Sequence, residues 1–359
     1  MWNKEMPARP VVAVAGATGA VGLEFLKVLH DLDFPASEVR ALASARSAGK
    51  KLAFAGCGDV PAGELTVQEM TPESFEGVDI ALFSCGAEVS KQMRQAVVDA
   101  GAVMIDNSSA FRMDEDVPLV VPEVNPGDLD WHSGVIANPN CSTIQMVVAL
   151  KPLYDLARIK RVVVSTYQAA SGAGAPAMKE LYNQTEEYLG GADDDHLTVE
   201  AFQHRIAFNC IPHIDKFFDD GSTKEEWKMV VETKKIMGDD GIKVAATCVR
   251  VPVLRCHGES INVEFESDVT PEQAREALAA APGVGVMDDP ANNKYPMPGL
   301  LAGTDETYVG RIRRDDTVDH GLAFWVVADQ IRKGAALNAV QIAQLLVPSV
   351  YRPTEPLAR

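Results

Sequence analysis

The chain has 359 residues, 47% hydrophobic and 23% charged. That is the composition of a soluble globular protein and a length suited to two domains rather than one core. The formal net charge is −18, and so acidic a surface repels phosphate backbones and anionic headgroups, which argues against nucleic-acid and membrane partners.

An anionic small molecule would therefore have to be met by a local cluster of Arg or Lys. The six cysteines include no C-x-x-C pair and no zinc spacing, so no metal site is expected. The start of the chain is short and polar, without the apolar stretch of a signal peptide. No run reaches ~18 apolar residues, as a membrane span would need. Together these features predict a cytoplasmic protein with reduced thiols.

In chain order, residues 11–15 read as a short apolar strand ending at Gly16. Residues 21–32 have helical spacing. Strands follow at 39–43 and 79–83, a helix at 89–98 and a strand at 103–106. This β-α alternation predicts a doubly wound parallel sheet, a Rossmann-like dinucleotide-binding domain over residues 1–140. After Asn140 the texture changes. A helix is expected at 142–153, strands at 160–168, 244–253 and 260–265, a helix at 271–281 and a strand at 321–327. Long loops, and strands without a helix between each pair, predict an α+β domain over 141–334. Its mostly antiparallel sheet would carry catalysis and a subunit interface. The last apolar helix, 335–346, has no strand partner nearby, so segment 335–359 is expected to pack back on the first domain. The acidic stretch at 193–195 reads as a solvated loop or helix end.

The turn Gly16-Ala-Thr-Gly19-Ala-Val-Gly22 follows the first strand and opens a helix. Gly16 allows the tight turn, Gly19 lets a pyrophosphate approach, and Gly22 lets the helix lie close to the sheet. Thr18, Ala20 and Val21 complete a helix start whose unpaired N–H groups suit phosphates. NAD-binding folds usually place an acid at the end of the second strand. Here Ser44, Arg46 and Ser47 stand there instead, two hydroxyls and a guanidinium suited to a 2′-phosphate. The cofactor expected is NADP.

In Asn138-Pro-Asn140-Cys141-Ser-Thr-Ile-Gln145 the helix-start signals put Cys141 near a first turn. There the helix dipole and free N–H groups favour a thiolate and an oxyanion. The other five cysteines read as inert.

The Asn-Pro-Asn-Cys-Ser-Thr segment closely resembles the active-site segment of aspartate-semialdehyde dehydrogenases. So do the glycine turn, Asn107-Ser-Ser-Ala-Phe-Arg112, Tyr167-Gln-Ala-Ala-Ser-Gly-Ala-Gly174 and Glu232-Thr-Lys-Lys235. Arg250-Val-Pro-Val-Leu-Arg-Cys-His257 and Lys333-Gly-Ala-Ala-Leu-Asn338-Ala-Val-Gln-Ile-Ala343 extend the likeness over most of the chain. The resemblance implies Cys141 as nucleophile, His257 as acid/base and Gln168 as substrate-orienting. It implies Arg250 on the substrate carboxylate, Arg112 and Lys235 at the phosphate, and Glu232 near the substrate amino group or that lysine. Asn140 joins the substrate site, Asn338 lies near the nicotinamide, and Ser171 to Gly174 (Ser171 and Gly172 above all) contact the cofactor. The implied reaction is the NADP-dependent, reversible conversion of 4-phospho-aspartate to aspartate semialdehyde through a Cys141 thioester. This is a step of lysine, threonine and methionine biosynthesis, run by a homodimer or homotetramer. An acyl phosphate is reduced more readily through a thioester than directly. Two departures stand out: Cys256 and Gly258 flank His257 where relatives carry Gly and then Ser, and Gln330 follows Asp329 where an Asn is expected.

Two rivals are weighed. A reductase of N-acetyl-glutamyl phosphate would share the fold and the cysteine, but its segment reads Asn-Pro-Gly-Cys, and residue 140 here is Asn. A non-catalytic NADP-binding redox sensor would have no use for a carboxylate anchor beside His257.

Overall fold

The computed structural model describes Trp2, residues 4–193 and residues 196–348. The expectations for 194–195 and for the segment beyond 348 lie outside the described residues. Two compact units emerge, one joining the stretch up to Asn140 with the stretch from Gly334, the other spanning Cys141–Lys333.

The first unit opens with β1 (Val11–Ala15), α1 (Ala20–Asp31) and β2 (Glu38–Ala43). A small antiparallel pair follows, β3 (Lys51–Phe54) and β4 (Gly63–Thr66), and then β5 (Gln68–Glu69). The unit continues through β6 (Ile80–Phe83), α2 (Ala87–Asp99), β7 (Val103–Asp106) and β8 (Val135–Ala137). Six of these strands form one sheet in the order β5-β2-β1-β6-β7-β8, parallel throughout. Counted within the sheet, that is the 3-2-1-4-5-6 order of doubly wound dinucleotide folds, whose crevice opens where the order reverses. The reversal falls between β1 and β6. β6 and β7 are buried at every position, as strands covered on both faces must be.

In the second unit α3 (Cys141–Leu156) leads into β9 (Ile159–Gln168), α4 (Ala175–Leu189) and α5 (Lys224–Met237). β10 (Lys243–Arg250), β11 (His257–Phe265), α6 (Pro271–Ala280), β12 (Val284–Val286), β13 (Thr307–Asp315) and β14 (Gly321–Ala328) follow. The sheet order is β10-β9-β11-β14-β13-β12. It is mixed: β9–β10 and β12–β13 run parallel, the other three pairings antiparallel. α3 is buried from Ser142 to Leu150, the signature of a helix enclosed on all sides. It packs on β9, β13, β14, α5 and α6. Met146, Leu150 and Leu153 share their core with Val164, Ile261 and Phe324.

The chain closes on a π-helical turn, Arg332–Ala336, and α7 (Leu337–Leu346). α7 packs on α1, β6 and β7 of the first unit. Val340, Ile342 and Ala343 share a core with Phe25, Leu29 and Ile80, where each large apolar side chain contributes about 1.5–3 kcal/mol. Among the described residues, no helix is long and apolar enough to cross a membrane.

Candidate active site

In the first unit the glycine turn sits at the reversal of the sheet. Gly16 has φ +84°, and a Cβ there would meet the Ser84 carbonyl beyond β6. The Gly16 and Ala17 N–H groups donate to the Leu42 carbonyl at 2.9 and 3.0 Å, tying the turn to β2. Gly22 is required for a more local reason than close packing on the sheet: a Cβ would strike the Gly16 carbonyl and the Ala17 backbone. Gly19 caps α1 with no side-chain bond to its N–H groups, and the first turn holds no acid. Thr18, Ala20 and Val21 are half-buried around this start. Beyond β2, Ser44 and Arg46 are exposed, and Ser47 accepts from Lys50 Nζ at 3.4 Å. A backbone cradle too tight for side chains, a helix start clear of carboxylates and an exposed guanidinium fit a dinucleotide carrying a 2′-phosphate.

Three more candidate residues lie in this unit. Arg112 is buried, its Nε donating to the Asn138 carbonyl at 3.0 Å and its guanidinium to the Asn107 carbonyl at 2.8 Å. Asn338 is fully buried and donates to the Val120 carbonyl at 3.0 Å and to Asn138 Oδ1 at 2.7 Å. Asn140 is buried immediately before the thiol.

In the second unit Cys141 is the first residue of α3 and half-buried. The remaining thiols differ. Burial pushes Cys57 and Cys85 up to about 11 and Cys256 up to about 12, and raises Cys248 further. Cys210 is exposed.

Strand register assembles the rest. Arg250 and Gln168 pair across β10 and β9, and Tyr167 pairs with Gly258, which brings His257 to the same end of the ladder. All three side chains are buried. The Gln168 amide donates to Ser142 Oγ at 2.7 Å and to Glu225 Oε1 at 3.2 Å. Arg250 donates to the Ala169 carbonyl at 2.6 Å, stacks 5.9 Å from the Phe202 ring centroid, and interacts electrostatically with Glu225 and Cys141. The Ala169 N–H faces His257 Nδ1 at 2.9 Å. A donor there requires an acceptor, so the neutral ring carries its proton on Nε2. Burial, and then the neighbouring Arg250 cation, hold His257 well below its ordinary range, so it is neutral. Nε2 makes no hydrogen bond among the described residues.

Gly172 belongs to this cluster. A Cβ on it would come within 2.8 Å of an Arg250 nitrogen and 3.1 Å of His257 Nε2. Ser171 Oγ accepts from Gln330 Nε2, and Gln330 Oε1 accepts from the Cys256 N–H at 2.8 Å. The two positions flanking His257 have distinct backbone surroundings. Cys256 adopts φ +74°, the left-handed backbone that glycine takes most easily. Gly258 admits no side chain because a Cβ would collide with the Trp325 ring. Gln330 supplies the bond that secures the Cys256 peptide.

Glu232 and Lys235 lie on α5, which packs on β10 and α3. Glu232 is buried and Lys235 half-buried. Sequence reading missed α5 itself, and with it Glu225. The signal was present: Thr223 and Glu226 form a capping box, which places Glu225 in a first turn. It also missed Ser142 and the Ala169 peptide, which carry no side-chain signature.

Comparison with known proteins gives the family. Residues 11–132 match the semialdehyde dehydrogenase NAD binding domain and residues 150–333 the semialdehyde dehydrogenase dimerisation domain. Aspartate-semialdehyde dehydrogenase of Aquifex aeolicus is 59% identical over 339 residues, 94% of this chain and 97% of that protein. The crystal structure of Vibrio cholerae aspartate semialdehyde dehydrogenase II complexed with ASA superposes with a TM-score of 0.90 at 46% identity. It covers 96% of this chain and 99% of that one. The Candida albicans enzyme, crystallised with NADP, gives 0.70 at 28% identity, covering 94% and 98%. With such identity along nearly its whole length, the chain belongs to the aspartate-semialdehyde dehydrogenase family.

Proposed function

We propose that the chain catalyses the NADP-dependent, reversible reductive dephosphorylation of 4-phospho-L-aspartate to L-aspartate 4-semialdehyde through a thioester on Cys141. The step belongs to lysine, threonine and methionine biosynthesis. One observation carries the reading: a single backbone residue, Ala169, holds Arg250 by its carbonyl and His257 by its N–H. A carboxylate anchor and a ring N–H donor at fixed separation, beside a half-buried thiol, suit a substrate with a carboxylate a short way from its acyl carbon.

In the biosynthetic direction the Cys141 thiolate attacks the acyl carbon. The carbon–sulfur bond forms, the bond to the phosphate oxygen breaks, and phosphate leaves. The start of α3 and the Arg250 cation stabilise negative charge on the sulfur. His257 Nε2–H holds the carbonyl oxygen as charge develops on it. Bound NADPH supplies the hydride that reduces the thioester carbonyl. When the carbonyl re-forms, Cys141 departs as thiolate. The reaction in this direction takes up one proton, which the departing phosphate carries away, so His257 Nε2–H serves as the acid/base as well as holding the oxyanion. Arg250 forks onto the substrate carboxylate, and Gln168, fixed by Ser142 and Glu225, orients the acyl group. Glu232 takes the amino group, while Arg112, Lys235 and Asn140 serve the phosphate and acyl end. Gly16 to Gly22 cradle the pyrophosphate, Ser44, Arg46 and Ser47 the 2′-phosphate, Ser171 contacts the cofactor at its phosphates, and Asn338 lies near the nicotinamide. Gly172 leaves room between Arg250 and His257.

The second unit matches a dimerisation domain, which supports a homodimer. The acidic surface suits a cytoplasmic enzyme acting on small molecules rather than on nucleic acid or membranes.

The test is NADP reduction with aspartate semialdehyde, with and without phosphate, for the native chain and Cys141→Ala. Phosphate-dependent reduction by the native chain alone is expected, with NADP binding kept in the variant. Turnover without Cys141 would refute the thioester.

A further inference from the structure

Beneath the reacting row of the second unit lies another polar row. On β10, β9 and β11, one step further from the site, the register aligns Cys248 with Thr166 and Thr166 with Glu259. Below that the same face is apolar, with Val164 across from Ile261. Thr166 and Glu259 are fully buried. From above, α3 contributes Gln145, also fully buried. Gln145 lies one helical turn after Cys141, on the same face of α3, and Glu259 lies two residues after His257, on the same face of β11. The Gln145 amide reaches the His257 carbonyl at 3.5 Å and acts on the Glu259 carboxyl. Gln145 Oε1, Thr166 Oγ1 and both Glu259 oxygens otherwise make no full hydrogen bond.

Buried polar atoms kept in an otherwise apolar layer are costly unless they serve each other or a function. Glu259 forms no ion pair among the described residues. We propose that Gln145 and Glu259 are a positioning pair, an amide and a carboxyl one layer under Cys141 and His257, which holds the thiol-bearing helix in register with the ring-bearing strand. The idea rests on Cys141 and His257 being the reacting pair. With no cation beside it, the carboxyl stays protonated, and burial raises its pKa well above the ordinary range. The Gln145 amide N–H group faces both the His257 carbonyl and the Glu259 carboxyl, and its pull on the carboxyl is weaker than the effect of burial. A negative charge at this depth would instead favour a charged His257, whose Nδ1–H would oppose the Ala169 N–H. The neutral pair therefore agrees with the neutral ring above it. Neither residue touches substrate, so neither is catalytic.

The test uses the full chain with Glu259→Leu, Gln145→Leu and Glu259→Gln. The readouts are kcat, KM for NADP, and the rate of Cys141 alkylation by iodoacetamide against pH. Each leucine variant is expected to lower kcat about tenfold to a hundredfold through misplacement of the reacting groups, leaving KM for NADP within about twofold. Each is also expected to move the pH midpoint of Cys141 alkylation. Glu259→Gln, a neutral isostere, should stay within about threefold of native kcat with the midpoint unmoved. Native kcat and alkylation in the leucine variants would overturn the proposal, as would a glutamine variant as slow as the leucine one. If Glu259→Leu does not fold, Gln145→Leu and Glu259→Gln decide between the same outcomes. Turnover in Cys141→Ala would instead refute the reading of the site and leave these comparisons without their premise.

Discussion

The N–H of Ala169 donates to Nδ1 of His257 over 2.9 Å, and the carbonyl of the same residue accepts from Arg250 at 2.6 Å. The first bond fixes the ring's tautomer, and the pair fixes the spacing between ring and guanidinium. A side chain is thereby tuned by a peptide group that every substitution at position 169 except proline leaves in place.

The tautomer has a direct consequence for mutants at His257. Asparagine reaches only as far as the Nδ1 position, whereas glutamine can bring an amide N–H close to where Nε2–H stands. His257→Asn is expected to lower kcat by roughly 10²–10⁴, and His257→Gln to lose clearly less. Steady-state kinetics of both variants decide the matter. Equal losses would mean that proton transfer, not oxyanion holding, is the ring's task.

Arg250→Lys keeps the charge yet loses the two-pronged contact to a carboxylate and the hold on the Ala169 carbonyl. Substrate KM is expected to rise and kcat to fall, with kcat/KM down by on the order of a hundredfold. Native kinetics in this variant would remove Arg250 from the carboxylate.

Arg46 is exposed just beyond β2, where a 2′-phosphate would lie. Arg46→Ala should weaken NADPH use by about 1.5–3 kcal/mol, the worth of one charge-assisted contact, while leaving NADH use near its native level. Comparing KM for both nucleotides checks this, and equal effects would count against a 2′-phosphate contact.

Glu259 ties stability to pH. Its folded-state pKa lies well above the unfolded value of 4.5. Its contribution is therefore intact below 4.5 and is lost as pH rises toward the folded value, because the unfolded chain releases the proton first. The slope is about 1.4 kcal/mol per pH unit within that window. Glu259→Gln removes the titration, so its melting temperature should gain on the native protein as pH rises above 4.5. A difference that stays flat with pH would show an ionised Glu259 in the fold.

The parallel sheet of the first unit was legible because strands buried on both faces leave unbroken apolar runs, as in Val11–Ala15, Ile80–Phe83 and Val103–Asp106. α4 and α5 were not recognised, since their apolar positions are diluted by charge. β13 was hidden by the irregularity between Gly310 and Arg313, where Arg311 takes φ +56°. β11 was read from Ser260 rather than from His257, because Gly258 and the buried Glu259 break the apolar alternation. The expected mostly antiparallel sheet is antiparallel at three of its five pairings and parallel at β9–β10 and β12–β13. The meeting of Arg250, Gln168 and His257 depends on register between strands far apart in sequence. Only the likeness to a known family, not periodicity, pointed to those three residues.

The spread among the six thiols bears on chemical modification. Cys57, Cys85, Cys248 and Cys256 are held in the protonated form far above neutral pH, so a soft electrophile finds them unreactive in the folded protein. Cys141 and Cys210 remain, one at a helix start and one on the open surface. The exposed Cys210 then works as a built-in reference, labelled in the same sample under the same conditions. The ratio of labelling at the two positions, read from one digest, measures how strongly the fold activates Cys141 without any substrate in hand.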